Sequence, residues 1–119
     1  MKILVVDDSK AMRMIVVRTF RQLGLDHEFV EAENGADGLA RLRADAPDLV
    51  IADWNMPEMS GIELLETARA EGSTTTFGFI TSETATEFRE RAIAAGAAFM
   101  LAKPFNADML AEALGAVPS

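Results

Sequence analysis

Short apolar runs alternate along the chain with segments whose apolar residues recur at every third or fourth position. This alternation is typical of a parallel β-sheet with helices packed on its faces. Five strands are predicted, at residues 2–6, 28–32, 48–52, 77–81 and 98–102. Four of the runs are continuously apolar, as expected for strands covered on both faces, whereas 28–32 alternates and is expected at a sheet edge. We predict an α/β fold, a doubly wound (βα)5 flavodoxin-like sandwich whose five parallel strands have the order 2-1-3-4-5.

The helices are predicted from apolar spacing and from residues that commonly start or end helices. Residues 12–23 carry the clearest apolar stripe, and the last helix, near 108–114, is short. The fourth helix, around 85–95, is rich in alanine and offers little packing surface, so we expect that it can move. The capping and stop residues are Gly24, Asn34, Ala46-Pro47, and Ser60 with Glu63 at the spacing of a capping box.

The composition is that of one ordinary globular domain. The 119 residues are half hydrophobic and a quarter charged, and the net charge of -8 disfavours nucleic acid and anionic membranes as partners. The chain has no cysteine, which excludes disulfides and thiolate metal sites. The first apolar run ends at Asp7 and is too short for a signal peptide or a membrane span. We expect a cytoplasmic protein without membrane insertion, with one domain over residues 1–119.

Three aspartates directly follow two of the predicted strands. Asp7 and Asp8 come after the first strand, and Asp53 comes after the third. In a doubly wound sheet, ligands bind beyond the carboxyl ends of the strands where the winding reverses, here between the first and third strands. Carboxylates gathered at this edge repel one another unless a cation or a shared proton compensates them. Because Mg²⁺ prefers oxygen ligands and often links carboxylates to a phosphate, we predict a Mg²⁺ site, with Mn²⁺ as the alternative ion.

Asp53 is the best candidate for the residue that accepts a phosphoryl group, because it ends the central strand, where surrounding elements fix its position. An aspartate can attack phosphorus and form an acyl phosphate. Phosphoryl transfer requires mainly positioning and charge neutralisation, which a metal and Lys103 can supply. Thr81 ends the fourth strand at the same edge, and its hydroxyl can donate a hydrogen bond to a phosphoryl oxygen. We expect its rotation to report the phosphorylated state.

These residues lie in motifs that resemble two-component response-regulator receiver domains over essentially the whole chain. The matching segments are VVDDS at 5–9, DWNMPEMSG at 53–61, TSE at 81–83 and KPF at 103–105. Within the family, the run DWNMP and the pair Met12-Arg13 are most similar to single-domain chemotaxis regulators. The resemblance implies phosphotransfer to Asp53 from a histidine kinase or a phosphotransfer protein. It implies a signalling module without an output domain, which catalyses only its own phosphorylation and dephosphorylation.

The resemblance also implies roles for individual residues. Asp8, Asp53 and the backbone carbonyl of Asn55 would hold Mg²⁺, and Asp7 would be oriented through water. Asn55 and Glu83 match two positions whose side chains tune dephosphorylation. The downstream protein would contact the face formed by the fourth helix, the fifth strand and the fifth helix of a monomer.

Met100 departs from the family pattern. Receivers of this kind usually have Tyr or Phe three residues before the lysine, and the chain has no tyrosine. Phe99 cannot simply substitute, because neighbouring strand residues point to opposite faces. We expect Met100 to occupy the switch position together with Thr81 and to pack differently at the partner surface.

Other interpretations remain open at the level of sequence. Taken one at a time, these residues also have structural interpretations. The acidic pair could be a solvated strand end, Lys103 could be a solvated turn residue, and Thr81 could be a helix cap. A metal-dependent phosphatase with an aspartyl phosphate would need a general acid near Asp53, and Asn55 occupies the position two residues on where that acid would act. A flavin binder would need a glycine-rich phosphate loop, which the first loop lacks. The chain could also be a scaffold, a phosphorelay intermediate, or a receiver that regulates a kinase or another enzyme instead of a flagellar motor target.

We expect Trp54 to be partly exposed beside the site.

Overall fold

Five parallel strands form one sheet in the order β2-β1-β3-β4-β5, which confirms the predicted topology. The computed structural model describes residues 1–24, 27–83, 85–115 and 117. The strands are β1 (Lys2–Val6), β2 (Glu28–Ala32), β3 (Leu49–Ala52), β4 (Thr76–Thr81) and β5 (Phe99–Ala102). The helices are α1 (Lys10–Gln22), α2 (Gly35–Asp45), α3 (Gly61–Ala70), α4 (Thr86–Ala94) and α5 (Ala107–Leu114). The strand predictions are therefore correct to within one residue at each end.

The helices cover both faces of the sheet because side chains of the central strands alternate between two apolar cores. Leu4 and Val6 of β1 pack in the core with α2, α3 and α4, whereas Ile3 and Val5 pack in the core with α1 and α5. Every residue of β3 is buried, while β2 is partly exposed at the sheet edge, as its alternating sequence predicts. None of the helices in the described part of the chain has the length and apolar character that a membrane crossing requires.

Side chains close the helix starts at the predicted positions. Asn34 accepts a hydrogen bond from the N–H of Asp37 at the start of α2. Ser60 and Glu63 form the predicted capping box of α3, in which each side chain accepts from the other residue's backbone N–H. These caps satisfy backbone donors that a helix start would otherwise leave without partners. The capping box therefore fixes the position at which the loop after β3 ends and α3 begins.

α4 is the least firmly attached helix, as its sequence predicts. Its N-cap residue Ala85 provides no side-chain hydrogen bond, and Ala92 is the only fully buried residue among 86–94. Ile93 is 65% exposed, and Phe88 is partly buried against the core shared by α2 and α3. Because apolar burial supplies most of a helix's attachment to a sheet, α4 can shift at lower cost than its neighbours.

The end of α2 provides a test of backbone strain. Ala46 has φ 45° and ψ 59°, the left-handed conformation that a Cβ disfavours. We expect Ala46→Gly to raise the free energy of unfolding by about 0.5 kcal/mol, since the relieved strain exceeds the added flexibility of the unfolded chain. Urea denaturation measures this change. The matched control is Ala44→Gly inside the helix, which should lower stability by about 0.5–1 kcal/mol. A loss of stability in both variants would contradict strain at Ala46.

The capping box provides a pH-dependent test. Hydrogen bonds from the N–H and hydroxyl of Ser60 lower the pKa of Glu63 below its ordinary 4.5. Since the folded-state pKa is depressed, this contribution to stability is complete above pH 4.5 and is lost as the pH falls through the lowered pKa. We expect the free energies of unfolding of wild type and Glu63→Gln to differ most above that pH and to converge below it. Ser60→Ala should lower stability by about 1 kcal/mol at neutral pH. A difference that stays constant with pH would exclude the ionised capping box.

Candidate functional site

The three predicted aspartates meet at the carboxyl edge of β1 and β3. The two strands are neighbours, with Val6 opposite Ala52, so the acids that follow them are brought together. One carboxylate oxygen from each of Asp7, Asp8 and Asp53 lies within 4.8 Å of the other two. Asp7 and Asp53 are buried, whereas Asp8 is exposed. The cluster therefore has two fixed members and one open to solvent.

Backbone hydrogen bonds continue the sheet pattern into this cluster. The N–H of Asp7 donates to the carbonyl of Ala32 at 3.1 Å, and that of Asp53 donates to the carbonyl of Val6 at 2.9 Å. The N–H of Ser9 donates to Asp7 Oδ1 at 2.9 Å. The two buried carboxylates are consequently held by the sheet itself rather than by a mobile loop.

Lys103 reaches the cluster from the end of β5. Its Nζ lies 3.3 Å from Asp7 Oδ2 and 3.4 Å from Asp53 Oδ2. Its backbone N–H donates to the carbonyl of Thr81 at 2.9 Å, and its peptide bond to Pro104 is cis. Lys103 is thus an inward-facing partner of the acids and not a solvated turn residue.

The cluster holds more negative charge than the chain compensates. Burial is the main cause that raises the pKa of Asp7, and the nearby Asp53 carboxylate adds to it, whereas the Ser9 N–H and Lys103 act in the opposite direction. Three carboxylates against one ammonium leave a formal excess of two negative charges. The atoms that these three side chains offer to a metal ion are all carboxylate oxygens, which are hard ligands. Charge and donor type therefore fit a divalent cation such as Mg²⁺ or Mn²⁺.

Thr81 is fully buried at the end of β4. Its Oγ1 accepts a hydrogen bond from the N–H of Glu83 at 3.1 Å. It does not cap α4, whose N-cap residue is Ala85, so the alternative interpretation of Thr81 as a helix cap is wrong. Accepting this bond leaves the hydroxyl hydrogen available for another acceptor.

Asn55 and Glu83 come together although they are 28 residues apart. Asn55 Nδ2 donates to Glu83 Oε1 at 2.7 Å, which joins the loop after β3 to the loop after β4. The two positions that the family resemblance connected with dephosphorylation are therefore in direct contact. Their effect on dephosphorylation, and a metal contact by the Asn55 carbonyl, stay predictions.

Gly61 fixes the path of the loop between β3 and α3. A Cβ at this position would collide with the carbonyl oxygen of Asp53, and the Gly61 N–H donates to the carbonyl of Trp54 at 2.8 Å. This close approach requires glycine. The loop thus folds back against the residue that carries the candidate nucleophile.

Met100 and Phe99 lie on opposite faces of β5, as predicted. Met100 pairs with Phe79 and packs in the core shared by α2, α3 and α4. Phe99 pairs with Gly78 and packs in the core shared by α1 and α5. Phe99 therefore does not replace an aromatic residue at position 100. The switch roles of Met100 and Thr81 stay predictions.

Trp54 is 4% exposed, so the expectation of partial exposure is wrong. Its ring packs against Phe79 and Phe88, with centroid distances of 5.3 and 5.2 Å. Sequence reasoning predicted exposure from the neighbouring polar site and had no signal for the approach of α4. The contact with Phe88 depends on how that helix lies across the sheet.

Arg13 contacts the acidic loop, which the sequence did not predict. Its guanidinium donates to the carbonyl of Asp7 at 2.6 Å and to Glu31 Oε1 at 2.9 Å. The first bond ties the first turn of α1 to the start of the acidic loop, and the second ties it to β2. A cation in that turn was visible in the sequence, but nothing indicated its target.

The site as a whole can bind a divalent cation and stabilise a tetrahedral oxyanion. Asp53, Asp7 and Asp8 offer carboxylate oxygens, Lys103 offers an ammonium, and Thr81 offers a hydroxyl. These are the parts that transfer of a phosphoryl group to a carboxylate requires. The structure brings the side chains of Lys103 and Asp53 together and joins Lys103 to Thr81 through a backbone hydrogen bond. The catalytic roles of these residues stay predictions.

Comparisons with known proteins agree with this geometry. Residues 3–115 match the family described as the response regulator receiver domain. The chain is 39% identical to chemotaxis protein CheY1 of Helicobacter pylori over 120 residues, which covers 98% of this chain and 96% of that protein. It is 40% identical to chemotaxis protein CheY-3 of Vibrio cholerae, with coverage of 96% and 88%. The structure of Vibrio cholerae chemotaxis protein CheY4 superposes with a TM-score of 0.86 at 34% identity and 98% coverage of both chains. The chain belongs to the response regulator receiver domain family.

Proposed function

We propose that this chain is a stand-alone response regulator that accepts a phosphoryl group onto Asp53 from a histidine kinase or a phosphotransfer protein. The reaction depends on Mg²⁺, and the protein then removes the phosphoryl group itself. The observation that carries the proposal is the convergence of two further carboxylates and the Lys103 ammonium on the Asp53 side chain. Receiver domains are phosphorylation-switched signalling modules that bind Mg²⁺ at an acidic cluster.

In the proposed transfer, a carboxylate oxygen of Asp53 forms a bond to phosphorus while the bond from phosphorus to the donor's imidazole nitrogen breaks. The nitrogen keeps the bonding electron pair. Lys103, already 3.4 Å from Asp53 Oδ2, pairs with a phosphoryl oxygen, and the Thr81 hydroxyl donates to another. Asp8, Asp53 and the Asn55 carbonyl would hold Mg²⁺, which would supply charge neutralisation for the phosphoryl oxygens.

The proposed self-dephosphorylation involves Asn55 and Glu83. Their mutual hydrogen bond of 2.7 Å joins the Glu83 side chain to Asn55, which lies in the loop that begins at Asp53. A change at either residue therefore alters the position of the other. The pair is suited to control how water approaches the acyl phosphate and hence how long the signal lasts.

We propose that the signal passes to a partner protein on the surface formed by α4, β5 and α5. Receivers of the CheY type interact with kinases and downstream targets. A shallow cavity of about 410 Å³ lies on this surface, and its lining includes Arg89, Met100, Leu101, Met109 and Glu112. The mixture of apolar and charged groups suits a protein partner, and the net charge of -8 disfavours nucleic acid.

Chemotaxis is the pathway that we propose, because the relatives are called chemotaxis proteins. The protein would act as a cytoplasmic monomer, as its sequence predicts. A phosphorelay intermediate, or a receiver that regulates a kinase or another enzyme, is the alternative. Met100 favours this alternative, since a partner that requires an aromatic residue there would not find one.

The first test concerns the metal. We expect Mg²⁺ at ten times its Kd to raise the free energy of unfolding by about 1.4 kcal/mol, because the folded site binds it and the unfolded chain does not. Asp8→Asn should weaken Mg²⁺ binding by about tenfold or more, because it removes the negative charge of an exposed candidate ligand without disturbing the core. Urea denaturation with added Mg²⁺ or a chelator measures both effects.

The matched control for the metal test is Asp108→Asn, which makes the same change at an exposed position on α5. It should leave the Mg²⁺ effect intact. Equal stability of the wild type with and without Mg²⁺ would refute the metal site.

The second test concerns the phosphoryl acceptor. With Mg²⁺ and acetyl phosphate, we expect wild type to gain one acid-labile phosphoryl group and Asp53→Asn to gain none. Lys103→Met should slow the reaction by about 100-fold, because it removes a cation that stabilises the developing charge. Mass spectrometry measures the product, and emission of Trp54, the only tryptophan, follows the reaction in real time.

Asp48→Asn is the control for the acceptor test, since Asp48 precedes β3 at the opposite edge of the sheet. It should react like wild type. Incorporation that persists in Asp53→Asn, or none in the wild type, would disprove the proposed acceptor. Sustained release of phosphate from many external phosphate esters would favour the phosphatase alternative.

A further inference from the structure

We infer that Phe88 couples α4 to the phosphoryl-acceptor edge through its contact with Trp54. Phe88 would act as a positioning residue and would provide the aromatic link to the partner surface that position 100 lacks. This inference rests on the proposed function, because it concerns how phosphorylation of Asp53 is transmitted.

The geometric basis is a continuous row of aromatic contacts. Trp54 directly follows Asp53, and its nearly buried ring meets the ring of Phe88 edge to face, at 5.2 Å and 87°. The same indole packs against Phe79 of β4 at 5.3 Å and 53°. The edge-to-face arrangement of Trp54 and Phe88 is a favourable geometry of aromatic pairs. The residue next to the nucleophile therefore touches the first half of α4 without an intermediary.

Phe88 carries more of the attachment of α4 than any other large side chain of that helix. The helix start has no side-chain cap, Ala92 is its only fully buried residue, and Ile93 is mostly exposed. Arg91 pairs with Glu66 of α3 at 2.8 Å, but both side chains are about half exposed, and such pairs stabilise little. A displacement of Trp54 therefore acts on the one bulky contact that anchors the start of the helix.

The structure also contains room for α4 to move. A cavity of about 140 Å³ lies between α4 and β5, and its lining includes Arg89, Ala92, Ile93, Phe99 and Met100. Met100 lies opposite Phe79 in the register of β4 and β5, so it borders the same core as the aromatic row. Methionine is flexible and can adapt to a shifted helix. The packed aromatic row transmits the shift, and the cavity and Met100 accommodate it.

Phosphorylation supplies the displacement at the other end of the row. A phosphoryl group adds volume and charge at Asp53, the residue before Trp54, and its oxygen can accept the hydroxyl hydrogen of Thr81, whose Oγ1 accepts from the Glu83 N–H. Both changes act on the loops that flank the aromatic row. The α4 surface offered to a partner then depends on Trp54 and Phe88 rather than on rotation of an aromatic side chain in β5.

Hydrogen exchange of α4 amides with and without beryllium fluoride and Mg²⁺ tests the coupling. In the wild type, we expect the exchange rates of α4 to change by roughly twofold to tenfold, the ratio that corresponds to the strength of one aromatic pair. Phe88→Leu should bind beryllium fluoride normally and lose this change. Phe88→Tyr keeps the ring and should retain it. The ligand-induced difference is the decisive measurement, because a purely structural role of Phe88 would alter only the absolute rates.

Ile93→Ala is the matched control, since it shortens an exposed apolar side chain on the same helix and should preserve the response. Trp54→Leu removes the contact from the other side and should abolish the response as Phe88→Leu does, so the test stands even where one variant folds poorly. A full wild-type response in Phe88→Leu would overturn the coupling, as would its loss in Phe88→Tyr. Failure of the proposed function itself is distinct, because the wild type would then incorporate no phosphoryl group at Asp53.

Discussion

Electrostatic repulsion among three carboxylates is the constraint on which the rest of this structure depends. Acids directly follow two neighbouring buried strands, and backbone hydrogen bonds to the sheet hold Asp7 and Asp53 close together. Lys103 compensates only part of the charge, which leaves an edge that favours a divalent cation, and a bound cation would in turn favour a phosphoryl group. A site that is electrostatically incomplete by itself is suited to respond to the charge that a phosphoryl group brings.

The response requires a second property, which is the contrast between a rigid sheet edge and a loosely attached helix. β3 is buried along its whole length, whereas α4 has one fully buried residue and no side-chain cap. A change in charge at the edge is therefore relieved more easily by a shift of α4 than by a deformation of the strand before Asp53. The arrangement of Trp54 against Phe88 directs that relief toward α4. Signalling in this fold follows from the difference in packing between the two elements.

Much of the fold and the members of the site could be predicted from the sequence because their signals are local. Strand runs, the capping box of Ser60 and Glu63, and the sparse apolar face of α4 are properties of a few consecutive residues. The position of Asp53 behind a strand is local too, and parallel strands bring such positions to one edge. The exposure of Trp54 was predicted wrongly because the burial of this side chain does not depend on neighbouring residues alone. Its burial depends on a helix that lies more than thirty residues further along the chain.

The sequence by itself determined which residues follow the strands, where the helices start and which position lacks an aromatic side chain, since these features depend only on order and spacing. The tertiary structure decided which of those residues touch. The approach of Lys103 to Asp7 across 96 residues, and the pairing of Asn55 with Glu83, depend on strand register and on the paths of separate loops. Periodicity along a chain specifies the face on which a side chain lies. The distance between two distant side chains is set only when the sheet, its two cores and the loops pack at the same time.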